Sequence, residues 1–249
     1  MILTFKNSAF ISFLGRMLGR KNVEEQTIDT KMSHDSIKTI PRVLNLILLD
    51  ESGSMKGWEV ESVSGVNQTI STIKSTYGQF PEQEQYLTFV TFSNRLESFC
   101  RIHYELENIT QVSEYTLEDY LPCGGTPLYD TMGAMLSSLD EVASEHDIVL
   151  VTIITDGYEN SSREYDSEKI RALIQRLDEK DWVFTYIGAN QDSILEARKI
   201  GILNALDYRI DKEGISKMWG IEKVSRIRFM SRVRIGKSPK DLKYDYFAD

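Results

Sequence analysis

The feature that most constrains the fold is a pair of short apolar runs, each followed by an aspartate and a glycine-containing loop. Residues 43–49 (VLNLILL) lead into Asp50, and residues 148–154 (IVLVTII) lead into Thr155 and Asp156. A run that is apolar along its length, rather than at alternate positions, is typical of a central strand in a parallel sheet covered on both faces. The two runs therefore predict central strands with polar groups at their carboxyl ends.

Amphipathic helices separate the predicted strands. Apolar residues recur at intervals of three and four in the segments 60–77, 128–142 and 170–177, and a shorter helix runs from about residue 192 to Gly201. Further strands are expected at 86–92, 96–104, 182–187 and 207–210, the first two forming a hairpin or near-hairpin, and a last helix at 213–230. This alternation predicts an α/β fold, with a mainly parallel sheet and helices on both of its faces.

The length of 249 residues fits one α/β domain with extensions. We predict an N-terminal extension at 1–40, a folded domain at 41–230 and a basic C-terminal tail at 231–249. For the first residues, an export signal and an amphipathic anchor or partner helix are the alternatives to a loosely ordered extension. No stretch is long enough to span a bilayer. Cys100 and Cys123 lack a C-x-x-C or secreted-domain spacing, which favours a cytoplasmic location.

The charge distribution argues against a nucleic-acid site on the core. Residues 32–210 carry 14 Lys and Arg against 29 Asp and Glu, a net charge of −15, whereas residues 211–249 carry ten against six. Phosphate recognition needs clustered positive charge, which the acidic middle lacks. The basic C-terminal segment could contact an acidic partner, although a solvated helix face and tail is the simpler interpretation.

Five oxygen-bearing side chains are predicted to meet where the strands end. Asp50, Ser52 and Ser54 alternate along the chain, so in extended backbone they point to one side. Thr126 follows two glycines on a second loop, and Asp156 follows the second apolar strand. Ligands of open α/β sheets bind at this edge, and small oxygen donors suit a hard divalent cation. We predict a Mg²⁺ site in which Mn²⁺ could substitute.

The charge of this predicted site indicates a function. Two carboxylates balance a divalent ion and the hydroxyls add no charge, so the ion would keep an electrophilic and incompletely filled shell. An acidic group from outside could complete it. We therefore predict a binding module that captures an Asp or Glu of a partner protein through the metal, without catalytic residues.

Three motifs in this order resemble the metal-ion-dependent adhesion site of von Willebrand factor A domains: DESGSM at 50–55, GGTPL at 124–128 and TDG at 155–157. The resemblance covers residues 42–210, and the segments 91–94, 155–164 and 187–190 are similar to the stand-alone bacterial or phage type. It implies a Rossmann-like sheet with one antiparallel edge strand and a role in protein binding or assembly. It also implies a metal site formed by Asp50, Ser52, Ser54, Thr126 and Asp156.

Simpler interpretations compete for individual residues. The D-x-S-x-S pattern is also a good turn sequence, and Thr126 could serve only as a helix-entry residue before a proline. Glu51, Glu159 and Asn160 lie close to the predicted site and could shape a ligand surface, but exposed loop charge is the simpler interpretation.

Two other functions stay open at the level of sequence. A metal-assisted hydrolase is one, because a bound ion can activate water. Against it, Ser52 stands where haloacid dehalogenase-type phosphohydrolases have a second aspartate, and neither G-x-x-x-x-G-K-[ST] nor G-x-S-x-G occurs. The other is an assembly protein with a vestigial metal site, which would bind through its basic C-terminal segment.

Overall fold

A sheet with the strand order β3-β2-β1-β4-β5-β6 organises the chain. The computed structural model describes residues 42–95, 99–156, 158–189, 192–209 and 211–248, so the predicted N-terminal extension lies outside the described residues. The strands are β1 (Arg42–Asp50), β2 (Glu84–Phe92), β3 (Cys100–Asn108), β4 (Ile148–Thr155), β5 (Val183–Ala189) and β6 (Asn204–Tyr208). The α-helices are α1 (Glu59–Gln79), α2 (Leu128–Asp140), α3 (Ser167–Asp178), α4 (Asp192–Lys199), α5 (Lys212–Arg234) and α6 (Pro239–Leu242).

All pairings in this sheet are parallel except one. β1 pairs in parallel with both β2 and β4, and β4, β5 and β6 continue the parallel arrangement. β3 runs antiparallel to β2 and forms one edge of the sheet. The structure thus confirms the predicted α/β architecture with a single antiparallel edge strand.

Two apolar layers cover the central strands. On one face Leu46 and Leu48 of β1 pack in a cluster with residues of α2 and α3. On the other face Ile47 and Leu49 pack with residues of α1 and α5. Burial of each such side chain stabilises the fold by about 1.5–3 kcal/mol. Because β1 is enclosed from both sides, its carboxyl end is held rigidly at the centre of the sheet.

Some element boundaries differ from the sequence predictions. β3 extends to Asn108, beyond the predicted end at residue 104, and the predicted start at 96–98 lies outside the described residues. β6 covers 204–208 rather than 207–210. α5 continues past the predicted end at residue 230 because no helix-breaking residue occurs before Gly236, which has φ +88°. Beyond α5, Leu242 and Tyr246 pack against Phe229 and Met230 of that helix.

The helices also bear on the predicted absence of a membrane span. Within the part of the chain that the structure describes, none of them combines the length and apolar content needed to cross a bilayer. Helix α5 has 23 residues, but its buried positions include the charged residues Glu222 and Arg226.

Candidate metal centre

The parallel pairing of β1 with β4 brings Asp50 and Asp156 to the same edge of the sheet. In the register of the two strands Leu49 lies opposite Ile154, so Asp50 comes level with the end of β4. Asp156 follows directly after that end. The structure therefore places both predicted carboxylates at the carboxyl edge, on neighbouring strands.

A continuous path of hydrogen bonds joins four of the five predicted residues. The backbone N–H of Ser52 donates to Oδ1 of Asp50 over 2.7 Å. The hydroxyls of Ser52 and Ser54 lie 3.0 Å apart, and Ser54 Oγ donates to Oδ1 of Asp156 over 2.7 Å. A short 3₁₀ turn at Gly53–Met55 turns the chain so that Ser54 faces Asp156. These four residues thus form one cluster, which the chain reaches through a 3₁₀ turn and not through the extended backbone assumed for the D-x-S-x-S pattern.

Thr126 reaches the same edge on a neighbouring loop. The backbone N–H of Gly53 donates to the carbonyl of Gly124 over 2.9 Å, which joins the two loops directly. Gly124 has φ +78°, a conformation that favours glycine. Thr126 itself is buried, and its backbone exchanges two hydrogen bonds with Asn160. The hydroxyl of Thr126 takes no part in the path that joins the other four residues.

Residues without a role in the sequence prediction hold Asp50 in place. The hydroxyl of Thr155 donates to Asp50 Oδ2 over 2.6 Å, and the hydroxyl of Tyr120 donates to the Asp50 carbonyl over 2.7 Å. Thr155 could have been noticed in the T-D-G motif, because the last residue of β4 lies beside the last residue of β1. No sequence motif points to Tyr120, because it lies 70 residues from its partner Asp50 in the chain.

Glu51 also supports the site from inside. Only 2% of its surface is exposed, its Oε1 accepts from the backbone N–H of Leu121 over 2.9 Å, and the same oxygen lies 3.5 Å from Nη1 of Arg95. The interpretation of Glu51 as an exposed loop charge is wrong. The residue packs inward and fixes the loop that precedes Cys123.

Burial sets the electrostatics of the two aspartates. Asp50 is fully buried, and the loss of solvent raises its pKa to about 6, against the opposing effect of hydrogen bonds from Thr155 and Ser52. Burial also raises the pKa of Asp156, which the bond from Ser54 partly offsets. Within the described residues neither carboxylate forms an ion pair with Lys, Arg or His. The cluster therefore concentrates negative charge without a positive partner of its own.

The chemistry of these donors fits a hard divalent cation. The cluster offers only oxygen atoms, from two carboxylates and from hydroxyls, and Mg²⁺ binds such oxygens through one or two carboxylates. No group of three or more His, Cys, Asp and Glu side chains suited to a metal lies in the described parts of the chain, so the hydroxyls would have to contribute. A cation would also offset the energetic cost of burying Asp50 as an anion.

Comparisons with known proteins reveal similarity in structure but not in sequence. No family model matches the sequence, and no curated protein matches it. A von Willebrand factor type A protein from Catenulispora acidiphila superposes on 75% of this chain with a TM-score of 0.51 and 15% identity. The pilus adhesin SpaC from Lactobacillus rhamnosus GG, in its open conformation, superposes on 76% with a TM-score of 0.57 and 13% identity.

An isolated domain gives a similar result. The VWA domain of SpRpn10 superposes on 74% of this chain with a TM-score of 0.50 and 10% identity, and 94% of that domain is covered. By contrast, the chain spans only 43% of the Catenulispora protein and 30% of SpaC. At these identities the likeness concerns the fold. The chain has the Rossmann-like fold of von Willebrand factor A domains.

Proposed function

We propose that this chain is a protein-binding module that holds a divalent cation at Asp50, Ser52, Ser54, Thr126 and Asp156 and uses it to bind an acidic residue of a partner protein. The observation that carries the proposal is the hydrogen-bonded cluster of Asp50, Ser52, Ser54 and Asp156, which has two carboxylates and no basic partner among the described residues. Mg²⁺ is the proposed ion, and Mn²⁺ should replace it.

Each residue has a distinct task in this proposal. Asp50 and Asp156 supply the negative charge, and Ser52 and Ser54 supply neutral oxygens between them. Thr155 and the backbone of Ser52 keep Asp50 oriented, because each donates to a different oxygen of its carboxylate. When bound, a divalent cation would supply a positive charge with room for one more oxygen ligand. A carboxylate of the partner protein is the proposed source of that oxygen.

The similar structures include the pilus adhesin SpaC. This likeness supports a role in binding by analogy of fold, and the cluster of oxygen donors supplies the physical reason for it. We further propose that the chain is not an enzyme and acts in the cytoplasm. Metal-dependent turnover of a phosphoester or peptide panel by the purified protein would contradict the first statement.

Metal binding can be tested by calorimetric titration of the purified chain with Mn²⁺ and Mg²⁺. We expect saturable binding by the wild type and its loss in the Asp156→Ala variant. Asp140→Ala is the matched control, because Asp140 pairs with Arg176 and Lys180 and has no contact with the cluster. Equal heats in the wild type and in Asp156→Ala would rule out the proposed site.

Capture of an acidic residue needs a separate test. A peptide array in which every Asp-containing peptide has an Asn counterpart can be probed with the chain in Mg²⁺ and in a chelator. We expect binding that requires both the Asp and the metal, and that is lost in Asp50→Ala. Binding that survives the chelator, the Asn replacement or the Asp50→Ala substitution would show that the interaction uses another surface.

A further inference from the structure

We infer that two asparagines, Asn94 and Asn160, act as positioning residues that clamp the loop carrying Thr126 in the conformation required by the site. The inference rests on the proposed function, because it assigns these residues to the same cation site. Neither residue belongs to the predicted metal ligands. Both are exposed, so neither contributes to the apolar core.

Asn94 binds both backbone groups of Gly125. Its side-chain Oδ1 accepts from the N–H of Gly125 over 2.6 Å, and its own backbone N–H donates to the carbonyl of Gly125 over 3.1 Å. One asparagine therefore satisfies the hydrogen-bonding capacity of one loop residue through a reciprocal pair of bonds.

Asn160 repeats this arrangement on the next residue. Its Oδ1 accepts from the N–H of Thr126 over 2.8 Å, and its backbone N–H donates to the carbonyl of Thr126 over 3.2 Å. Two consecutive residues of the loop are thus each held by a separate asparagine, and the two asparagines come from different segments of the chain. A loop that contains two glycines has high conformational freedom in isolation, so such bonds decide which conformation it adopts.

Ser161 links the two asparagines. Nδ2 of Asn94 donates to Ser161 Oγ over 3.0 Å, and Ser161 Oγ donates to Oδ1 of Asn160 over 2.6 Å. The contact is close: a Cβ at position 125 would lie 2.2 Å from Ser161 Oγ and 2.7 Å from Asn160 Oδ1. Gly125 is therefore required for the asparagines to approach the backbone.

The segment that carries Asn160 is itself fixed to helix α2. The carboxylate of Glu159 accepts from the backbone N–H groups of Tyr129, Ser161 and Ser162. Asp130 accepts from the backbone N–H groups of residues 163, 164 and 165. Because these carboxylates immobilise the segment, Asn160 acts as a rigid support for the Thr126 backbone rather than as a mobile surface residue.

Amide hydrogen exchange measured by NMR on the full chain in a chelator tests the clamp without metal. In Asn94→Ala we expect exchange at Gly125 to accelerate by about tenfold, the effect of one lost hydrogen bond, and in Asn160→Ala the same at Thr126. Asn94→Asp keeps the acceptor oxygen and should retain protection at Gly125. Unchanged exchange at both amides in the alanine variants would overturn the inference.

Mn²⁺ affinity then connects the clamp to the site. We expect Asn94→Ala and Asn160→Ala each to bind Mn²⁺ about tenfold more weakly than the wild type while remaining folded by circular dichroism. Asn108→Ala is the matched control, since Asn108 also accepts a backbone N–H through Oδ1, from Thr110, but lies at the opposite end of the sheet. We expect the control to bind Mn²⁺ as tightly as the wild type.

The outcomes separate the two proposals. A wild type that binds Mn²⁺ together with alanine variants that bind it equally well would overturn the clamp and leave the metal site standing. A wild type that binds no Mn²⁺ would overturn both. Another outcome is that Asn108→Ala loses as much Mn²⁺ affinity as the two clamp variants. That result would show that all three act through general destabilisation, and it would also overturn the inference.

Discussion

Two groups of buried acids in this molecule differ in how their charge is compensated. On the buried face of α5, Glu222 is 1% exposed and accepts from Nε of Arg226 over 2.8 Å. Arg226 also donates to Asn45 Oδ1 and Thr152 Oγ1, which ties the helix to β1 and β4. At the carboxyl edge, Asp50 is equally buried, but among the described residues its carboxylate receives hydrogen bonds from neutral donors alone, in Ser52 and Thr155.

The contrast indicates a different role for each group. The Glu222–Arg226 pair is complete in itself, because its charges cancel and each guanidinium nitrogen of Arg226 has a hydrogen-bond acceptor. The Asp50 cluster has well-formed hydrogen bonds, but no cationic side chain among the described residues balances its negative charge. Buried charge without a partner destabilises a fold. We therefore attribute the imbalance at the carboxyl edge to a cation that the cluster binds as part of the proposed function.

The largest expected effect comes from breaking the compensated pair. Arg226→Met removes the positive charge and leaves Glu222 buried and unpaired, so the free energy of unfolding should fall by about 3–5 kcal/mol. Urea denaturation measures this change. Arg232 is exposed on the same helix and forms no ion pair among the described residues, so a comparable loss in Arg232→Met would show that the pair has no special importance.

Removing charge from the uncompensated cluster should have the opposite sign. Burial raises the Asp50 pKa to about 6, so between about pH 4 and 6 the folded chain binds more protons than the unfolded chain and stability falls as pH rises. In a chelator at pH 7, Asp50→Asn should therefore stabilise the chain by about 2–3 kcal/mol. The same variant should lose Mn²⁺ binding. Destabilisation in the chelator would contradict the view that this charge lacks a partner.

The partly buried His103 provides a reference for acid sensitivity that is independent of the site. Burial lowers the His103 pKa to about 4, so the unfolded chain binds more protons between pH 4 and 6.5, and stability falls as pH decreases through that window. After allowance for partial exposure, the loss should be about 1–2 kcal/mol. We expect this contribution to the pH dependence to disappear in His103→Gln but not in His146→Gln, whose imidazole is exposed.

The smallest expected change in stability comes from replacing both members of the Glu222–Arg226 pair. Replacing both partners, as in Glu222→Leu with Arg226→Met, removes the unpaired charge that the single variant leaves. The free energy of unfolding should recover by at least about 1 kcal/mol relative to Arg226→Met alone. The recovery should be incomplete, because Tyr246 and Asn45 each lose a polar contact. A double variant less stable than the single one would contradict the charge-compensation argument.

The sequence was sufficient for the parts of the fold that depend on local patterns. β1 and β4 are mostly apolar because both of their faces are covered, and the D-x-S-x-S and T-D-G motifs lie at the carboxyl ends of those strands. The boundaries of β3 were less predictable. Its pairing with β2 contains register shifts, and its side chains are only partly buried, which obscures the alternation on which a strand prediction depends.

Contacts between distant residues could not be predicted in the same way. Arg226 and Asn45 are separated by 181 positions, and an arginine in a basic helix is usually solvated, so the sequence favoured a surface role for it. Asn94 and Asn160 likewise lie in loops whose conformation depends on each other. Their roles follow from the three-dimensional arrangement of hydrogen bonds, which no spacing in the sequence encodes.

Anomalous scattering from crystals of the chain grown with Mn²⁺ would locate a cation at the proposed site. We expect one anomalous peak at the carboxyl edge, within coordination distance of oxygens of Ser52, Ser54 and Thr126 and linked to Asp50 and Asp156 directly or through water. Crystals that show no peak there, with the Thr126 hydroxyl turned away from the two serines, would contradict it.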